Sequence, residues 1–466
     1  MPGINQSINE PLSASQRLII GLGATGLSCA RYFSRKNLAF SVVDNRHTPP
    51  QLAIFKKEFP HTPLYLAKAH ISPLFAQAKE VIVSPGVDLN EVRLASAISE
   101  HNLTAIGDIE LFAREATAPI VAITGTNAKG TVTTLVAEML RAANKKIALG
   151  GNIGYPALDL LQNGTPDYYV LELSSFQLQT TYSLKAHVAT ILNLSPDHLD
   201  RHKTLENYIQ AKQRIYQHCL IAVWNQTEEN TYPRYPTKQL LSFGPDKTQV
   251  ATPVFTLQQH QQQIYLAQNE QPLLPVAELR IQGQHNWINA LAALTIAHAL
   301  QVPTTAMLQA LREFQGLPHR CQWVKESEGV TWYNDSKATN IGACLAALDG
   351  IGPAITGKIV LIAGGLAKGA DFTLLRKSIK RYVKLAILFG QDAPILKKAI
   401  ENDTPIHMAQ HLAHAVSLAQ TAAVAGDVVL LSPACASMDM FKNYVERGLK
   451  FVELVTGKKN DGQTSH

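Results

Sequence analysis

The sequence predicts an α/β protein built as three domains, and three observations carry that reading. Strand-like apolar runs alternate with helical patterns along most of the chain. Two separate glycine loops each follow a strand and open a helix. At 466 residues the chain is long enough for about three cores of ordinary domain size.

The first unit opens with Arg17-Leu-Ile-Ile-Gly-Leu-Gly-Ala-Thr-Gly26, a strand running into a glycine loop and a helix. Further strands are expected at residues 39–44 and 80–86, and the alternation to about Gly107 argues for a parallel sheet. Ile120-Val-Ala-Ile-Thr-Gly-Thr-Asn-Ala-Lys-Gly-Thr131 restarts the count, with a helix over 132–140 and strands at 168–173 and 187–193. Residues 226–284 change character, being rich in Gln, Thr and Pro. They read as short antiparallel strands appended to the central unit, with the Gln258–Gln263 patch as a solvated hairpin. An amphipathic helix is expected over 287–300. After Leu317-Pro-His-Arg320 a third sheet follows, with strands at 358–365, 384–390 and 427–432, then a helix near 441–455 and a frayed polar tail. The expected domains are 1–107, 108–316 and 317–466.

Composition excludes several classes. Hydrophobic residues make up 46% and charged residues 17%, which fits a globular chain rather than a disordered one. The net charge of +6 is spread along the chain, without a Lys/Arg run or basic residues interleaved with aromatics, so nucleic acid is not an expected partner. No apolar run reaches membrane-spanning length, and the first 16 residues are polar without a signal-peptide core. Cys29, Cys219, Cys321, Cys344 and Cys435 are scattered, with no C-x-x-C pair, and read as reduced thiols. A cytoplasmic monomer is the expectation.

The chemistry concentrates in a few runs. The strand–loop–helix order around Lys129 aims backbone N–H groups and a helix N-terminus at phosphate, with Lys129 against the β/γ-phosphates and Thr131 or a neighbour meeting the metal. The loop departs from the usual pattern: Ile123 stands where the first Gly is expected, Ala128 precedes the lysine, and Gly130 replaces a Ser or Thr. Gly21-x-Gly23-x-x-Gly26 with Asp44 downstream looks like a dinucleotide fingerprint, for which a nicotinamide cofactor is the natural rival to another nucleotide diphosphate. Glu172, at a strand end, is placed where a carboxylate holds Mg²⁺ in phosphoryl-transfer sites. His198, between Asp197 and Asp200 on a polar loop, could ligate a metal or steady a carboxylate. Lys212 reads as a solvated helical lysine, and Lys337 lies in a run too polar to be core.

Taken together, these segments resemble the Mur ligase family, ATP-dependent amide-forming enzymes of peptidoglycan synthesis. The matching runs are Thr124-Gly-Thr-Asn127 with Lys129, Gly150-Gly-Asn-Ile-Gly154, Leu171-Glu-Leu-Ser-Ser-Phe-Gln-Leu178, Asp197-His-Leu-Asp200, His285-Asn-Trp-Ile-Asn289, Pro318-His-Arg320, Asn334-Asp-Ser-Lys-Ala-Thr-Asn340 and Leu431-Ser-Pro-Ala-Cys-Ala-Ser-Met-Asp439. Three of them, Ser174–Gln177, Asp335–Thr339 and Ser432–Ser437, resemble the branch that adds D-glutamate to UDP-N-acetylmuramoyl-L-alanine. The resemblance implies a Rossmann-like N-terminal domain, a central P-loop ATPase-type α/β domain with an antiparallel extension, and a Rossmann-like C-terminal domain.

The resemblance also implies roles, residue by residue. ATP would be held by Gly125, Thr126, Asn127, Ala128, Lys129, Gly130 and Thr131, with Asn286 and Asn289 at adenine and Arg320 and Asp335 reaching in from the third domain. Mg²⁺, at two sites, would be held by Thr131, Glu172, His198 and an N-carbamylated Lys212. Asn152 and Ser174 would orient the substrate, and Lys337 would lie by the phosphates. Ala24, Thr25, Asp44, Asn45, Arg46, Ser84, Pro85 and Gly86 would cradle the UDP moiety, and Thr339, Lys368, Ser437 and the Tyr444 backbone the D-glutamate carboxylates. Lys129, Asn152, His198, Lys212 and Lys337 form the expected catalytic set, and the third domain is expected to swing about residues 315–319. Its rivals are another Mur-type or folylpolyglutamate-type ligase, a nicotinamide-dependent oxidoreductase, and a nucleotide sensor disabled at Gly130.

Overall fold

Three parallel-based sheets follow one another along the chain, and the ends of their strands converge on one cleft. The computed structural model describes residues 16–67, 72–246, 254–281 and 283–458. The polar N-terminal stretch before Gln16 and the expected tail beyond Lys458 lie outside the described residues.

The first sheet comprises β1 (Gln16–Ile20), β2 (Phe40–Asp44), β3 (Leu64–Leu66), β4 (Ala78–Val83) and β5 (Ala105–Ile106), all parallel in the order β3-β2-β1-β4-β5. The strand order reverses between β1 and β4, where open α/β sheets place their ligand crevice. Two fingerprint glycines are structural. Gly21 has φ +96, and a Cβ on Gly26 would stand 1.9 Å from the Gly21 carbonyl oxygen. Gly23 has nothing within 4 Å, so the start of the helix Ala24–Arg35 is open.

The central sheet holds β6 (Ile120–Thr124), β7 (Ile147–Gly151), β8 (Tyr168–Glu172), β9 (Val188–Ile191), β10 (Ile221–Asn225) and β11 (Gln239–Phe243), in the order β11-β10-β9-β6-β8-β7, all parallel. β6 sits inside the sheet and every residue of it is buried, as its β-branched run demands. The antiparallel extension is β12 (Phe255–His260), β13 (Gln263–Gln268) and β14 (Gln271–Pro275). The Gln patch forms the β12–β13 hairpin with an exposed tip, where Gln261 and Gln262 both take positive φ. One strand within 226–284 differs from expectation: β11 is parallel and belongs to the central sheet.

The helix Gln284–Ala299 lies where expected, but it is not amphipathic. Every residue from Asn289 to Ala297 is buried. The helix is enclosed by the helix Lys129–Ala142, by β10 to β12, and by the helix Ile341–Ile351. Its alanine-rich sequence reads as two-faced only if one side is assumed to be wet.

The third sheet comprises β15 (Gln322–Ser327), β16 (Val330–Asn334), β17 (Ile359–Ala363), β18 (Val383–Leu388), β19 (Ile406–Met408) and β20 (Val428–Leu431), in the order β15-β16-β20-β17-β18-β19. Only the β15–β16 pair is antiparallel. One apolar core runs continuously through the first two units, with Phe112 edge-on to Tyr169 at 4.9 Å. The third unit keeps its own two apolar layers, whose buried members begin at Val330. It therefore meets the rest of the molecule mainly through helix ends and polar loops. No helix among the described residues is long and apolar enough to cross a membrane.

Candidate active site

A cleft of about 760 Å³ opens where the β6 loop, the β8 and β9 ends and the third unit meet. Its lining includes Thr126, Asn127, Ala128, Lys129, Thr131, Asn152, Glu172, Ser174 and His198. Lys212, Asn286, Asn289, Arg320, Asp335, Lys337, Thr339, Pro85 and Gly86 also line it. Residues far apart in sequence are thus gathered on one cavity.

The phosphate loop is held from behind. Thr126 N–H donates to the Asn193 carbonyl, Asn127 N–H to Asn193 Oδ1 at 2.7 Å, and Thr126 Oγ1 pairs with Tyr208 OH at 3.0 Å. Lys129 folds back so that Nζ donates to the carbonyl oxygens of Gly125 and Thr126, each at 2.9 Å. Ala128 takes φ +62 at the helix N-cap, a left-handed conformation that costs a residue with a Cβ about 1 kcal/mol. The methyl group is therefore a question of backbone strain and not only of steric approach. Gly130 packs where a Cβ would lie 2.9 Å from Arg320 Nη2 and 3.1 Å from Glu172 Oε2.

Glu172 is 4% exposed at the end of β8, and Asn152 donates to its Oε1 at 2.7 Å. Among the described residues no three His, Cys, Asp or Glu side chains gather as a metal cage. Mg²⁺ characteristically takes one or two carboxylates plus waters and substrate phosphates. A single buried carboxylate beside a phosphate loop fits that chemistry. His198 Nε2 stands 3.7 Å from Asp197 Oδ2, beyond hydrogen-bond reach, with its ring edge-on to Phe176 at 4.9 Å. Burial lowers the His198 pKa even though Asp197 opposes the shift, which keeps the ring neutral.

Lys212 overturns its sequence reading as a solvated lysine. It is 1% exposed, and Nζ donates to Thr124 Oγ1 at 3.1 Å and to the Gly125 carbonyl at 2.8 Å. Helical spacing places Tyr208 one turn away, its ring 4.9 Å from that amine. Burial pushes the Lys212 amine well below the ordinary lysine range, and Lys129 adds to the effect.

The run around Lys337 also departs from expectation, because it is core. Asn334 and Ser336 are fully buried and their polar atoms are all engaged locally: Asn334 Nδ2 reaches His319, Gln322 and the Gly448 carbonyl, and Ser336 Oγ donates to the Tyr444 carbonyl. Asp335 accepts from Ser432 Oγ at 2.8 Å and from Cys321 N–H, and burial pushes it up to about 7. Lys337 Nζ lies 3.8 Å from the centre of the Tyr444 ring, and burial with nearby Arg320 pushes it down to about 7.

The other expected groups lie off the cleft lining. Asp44 accepts from Leu22 N–H at 2.7 Å and from Arg46 Nε and Nη2 along one edge of the guanidinium, while Asn45 and Arg46 are exposed. Ser84 Oγ donates to the Gly21 carbonyl, which ties the two loops of the first unit together near Ala24 and Thr25. Leu366 and Ala436 exchange backbone hydrogen bonds at 2.9 Å, bringing the Lys368 and Ser437 loops side by side. Lys368 is close enough for its charge to act on Asp197, His198 and Lys337. Asn193, Tyr208, Phe176 and Asn340 were not singled out from the sequence, although Asn340 ends the Asn334 run and Tyr208 shares a helix face with Lys212.

A phosphate loop at the centre of a parallel sheet, a buried carboxylate beside it, and cations supplied by a separately cored unit define an ATP-dependent ligase. Comparison with known proteins agrees. Residues 15–107 match the Mur ligase MurD-like N-terminal domain, 123–297 the Mur ligase middle domain and 319–435 the Mur ligase glutamate ligase domain. A Legionella pneumophila (strain Lens) protein named UDP-N-acetylmuramoylalanine–D-glutamate ligase is 48% identical over 450 residues, covering 96% of this chain and all of that one. A Coxiella burnetii (strain Dugway 5J108-111) protein of the same name is 47% identical, covering 95% and 99%. In fold, the MurF ligase of Thermotoga maritima solved with ADP aligns with a TM-score of 0.61 at 16% identity, over 95% of each chain. The chain belongs to the Mur ligase family.

Proposed function

We propose that this ligase joins D-glutamate to UDP-N-acetylmuramoyl-L-alanine in peptidoglycan precursor synthesis. The observation that supports it most is near-full-length identity of 47–48% to relatives bearing that name. ATP phosphorylates the alanyl carboxylate to an acyl phosphate. The D-glutamate amine attacks it, and inorganic phosphate leaves from the tetrahedral intermediate. A carboxylate oxygen is a poor leaving group until phosphorylated, and the transfer itself needs positioning and charge neutralisation above all.

On this reading residues 1–107 bind the UDP substrate, 108–316 bind ATP, and 317–466 bind D-glutamate. The open start of the helix Ala24–Arg35 receives the diphosphate of a uridine nucleotide rather than a nicotinamide cofactor. Lys129, Arg320 and Lys337, all lining the cleft, neutralise the phosphates, and Asn286 and Asn289 meet adenine. Glu172 and His198, with Thr131 beside them, hold Mg²⁺, which when bound supplies further charge neutralisation. Lys212 carries a carbamate: a buried amine kept neutral is the form that adds CO₂, and no carboxylate lies within ion-pair distance of it among the described residues. Asn152 and Ser174 orient the muramoyl-alanine end, and Thr339, Lys368, Ser437 and the Tyr444 backbone hold D-glutamate. The chain works as a monomer in the cytoplasm, where its five free thiols suit a reducing compartment. Phosphate release from ATP tests the scheme: it requires UDP-N-acetylmuramoyl-L-alanine and D-glutamate together, and comparable release without either overturns it.

A further inference from the structure

Asn340 uses both ends of its side-chain amide. Oδ1 accepts from Ala343 N–H at 2.9 Å and caps the helix Ile341–Ile351. Nδ2 crosses to the central unit, donating to Asn127 Oδ1 at 3.2 Å and to Asp197 Oδ2 at 3.1 Å. Both acceptors sit on the phosphate-binding side of the cleft, and neither is free to drift. Asn127 is pinned through its backbone to the Asn193 amide at 2.7 and 3.1 Å, and Asp197 Oδ1 accepts from His198 N–H at 2.9 Å. The approach is close, since a Cβ on Gly342 would stand 3.2 Å from Asn127 Nδ2 and 3.3 Å from Ser195 Oγ.

We infer that Asn340 is the latch that holds the third unit shut on the phosphate loop and on the Asp197–His198 loop. It is a positioning residue, acting through Asn127 and Asp197, and its catalytic consequence rests on the ligase reading above. The residue type is informative. Ser or Asp would cap the helix as well as Asn, but an Asp can donate nothing and a Ser hydroxyl is too short to serve both ends. Only an amide can accept from Ala343 while donating to a carboxylate and a carbonyl on another domain. Since among the described residues the buried apolar clusters of the third unit contain no residue of the other two, a few such polar contacts decide how long it stays closed. Lys337 and Thr339 stand on the same run and enter the cleft with it.

The test compares Asn340→Ser and Asn340→Asp, both of which keep a cap, with the wild-type full chain. Three quantities are read: thermal midpoint, radius of gyration by small-angle scattering without ligand, and kcat and KM for ATP-dependent phosphate release. The latch predicts unchanged midpoints, a larger radius for both variants, and a kcat lower by roughly tenfold for Ser and more for Asp, whose charge faces Asp197. Wild-type radius and turnover in both variants would overturn it. So would a fall in midpoint that accounts for the lost activity and assigns Asn340 to the cap alone, while a larger radius with wild-type turnover would overturn its catalytic consequence. If the ligase reading itself is wrong, the wild-type chain releases no phosphate with these substrates, while the scattering comparison still decides whether the latch exists.

Discussion

Lys212 Nζ stands 2.8 Å from the carbonyl oxygen of Gly125, buried beneath the phosphate loop. A charged ammonium there has backbone and hydroxyl oxygens for company but, among the described residues, no carboxylate within ion-pair distance. Burial favours the neutral amine, the form from which the proposed carbamate would be made. Lys212→Ala should collapse turnover by at least about a hundredfold, the scale of losing a positioned charged group. A small added carboxylate should restore part of it. Near-normal turnover in Lys212→Ala would remove the carbamate from the account, and a ¹³CO₂-labelled carbamate signal that vanishes in the variant would place it directly.

Gly130 and Arg320 form a second linked pair. The missing hydroxyl leaves room in which the guanidinium approaches the loop and Glu172. Gly130→Ser adds an oxygen beside Glu172, and the displaced group is the far end of a flexible side chain. Half-maximal phosphate release should then need less Mg²⁺, with folding stability unharmed because Ser is a better helix residue than Gly by about 0.5 kcal/mol. A Mg²⁺ titration of both proteins checks this, and an unchanged or higher requirement would contradict it.

Lys337 should report nucleotide binding through protons. Burial and Arg320 push it down to about 7, so at pH 8 the free chain carries it mostly neutral. Phosphate oxygens favour the charged form, and ATP binding at pH 8 should draw in a proton. Calorimetry in buffers of different ionisation heat measures that uptake, which should shrink below pH 6 and disappear in Lys337→Met.

The histidines set the acid limit of stability. His202 is buried, bonded to Ser175 Oγ at 2.9 Å and stacked on Phe176, and burial pushes it down to about 4. In the unfolded chain it titrates near 6.5, so between those values only the unfolded state takes the proton. Its contribution is complete above pH 6.5 and is lost as pH falls toward 4, by about 3 kcal/mol. His285, also pushed down to about 4, acts in the same direction. Buried Asp335, pushed up to about 7, acts in the opposite direction, so the histidine contribution is read by difference: urea midpoints measured from pH 7 to 4 should fall less, or rise more, in His202→Gln than in the wild type.

Much of this site was legible because it is written in local patterns. Ile120–Thr124 followed by Gly125 to Thr131 declares a strand, a loop and a helix, and each was found there. A polar residue at a strand end, such as Glu172, is expected where parallel sheets open onto ligands. Burial was legible only where it follows periodicity. The Gln284–Ala299 helix, the Asn334–Ser336 run and Lys212 are all enclosed by elements distant in sequence, and their own residues do not announce those neighbours. The left-handed φ at Ala128 belongs to the same class, since nothing in an alanine signals it. The role proposed for Lys212 comes from family resemblance, and the structure supplied its environment.

The central claim is the identity of the amine that this cleft joins to the muramoyl-alanine carboxylate. Phosphate release by the purified chain, with ATP, Mg²⁺ and UDP-N-acetylmuramoyl-L-alanine fixed, should be compared between D-glutamate and L-glutamate. The account predicts turnover with D-glutamate and little above background with L-glutamate. Equal turnover with both, or turnover with neither, would contradict it.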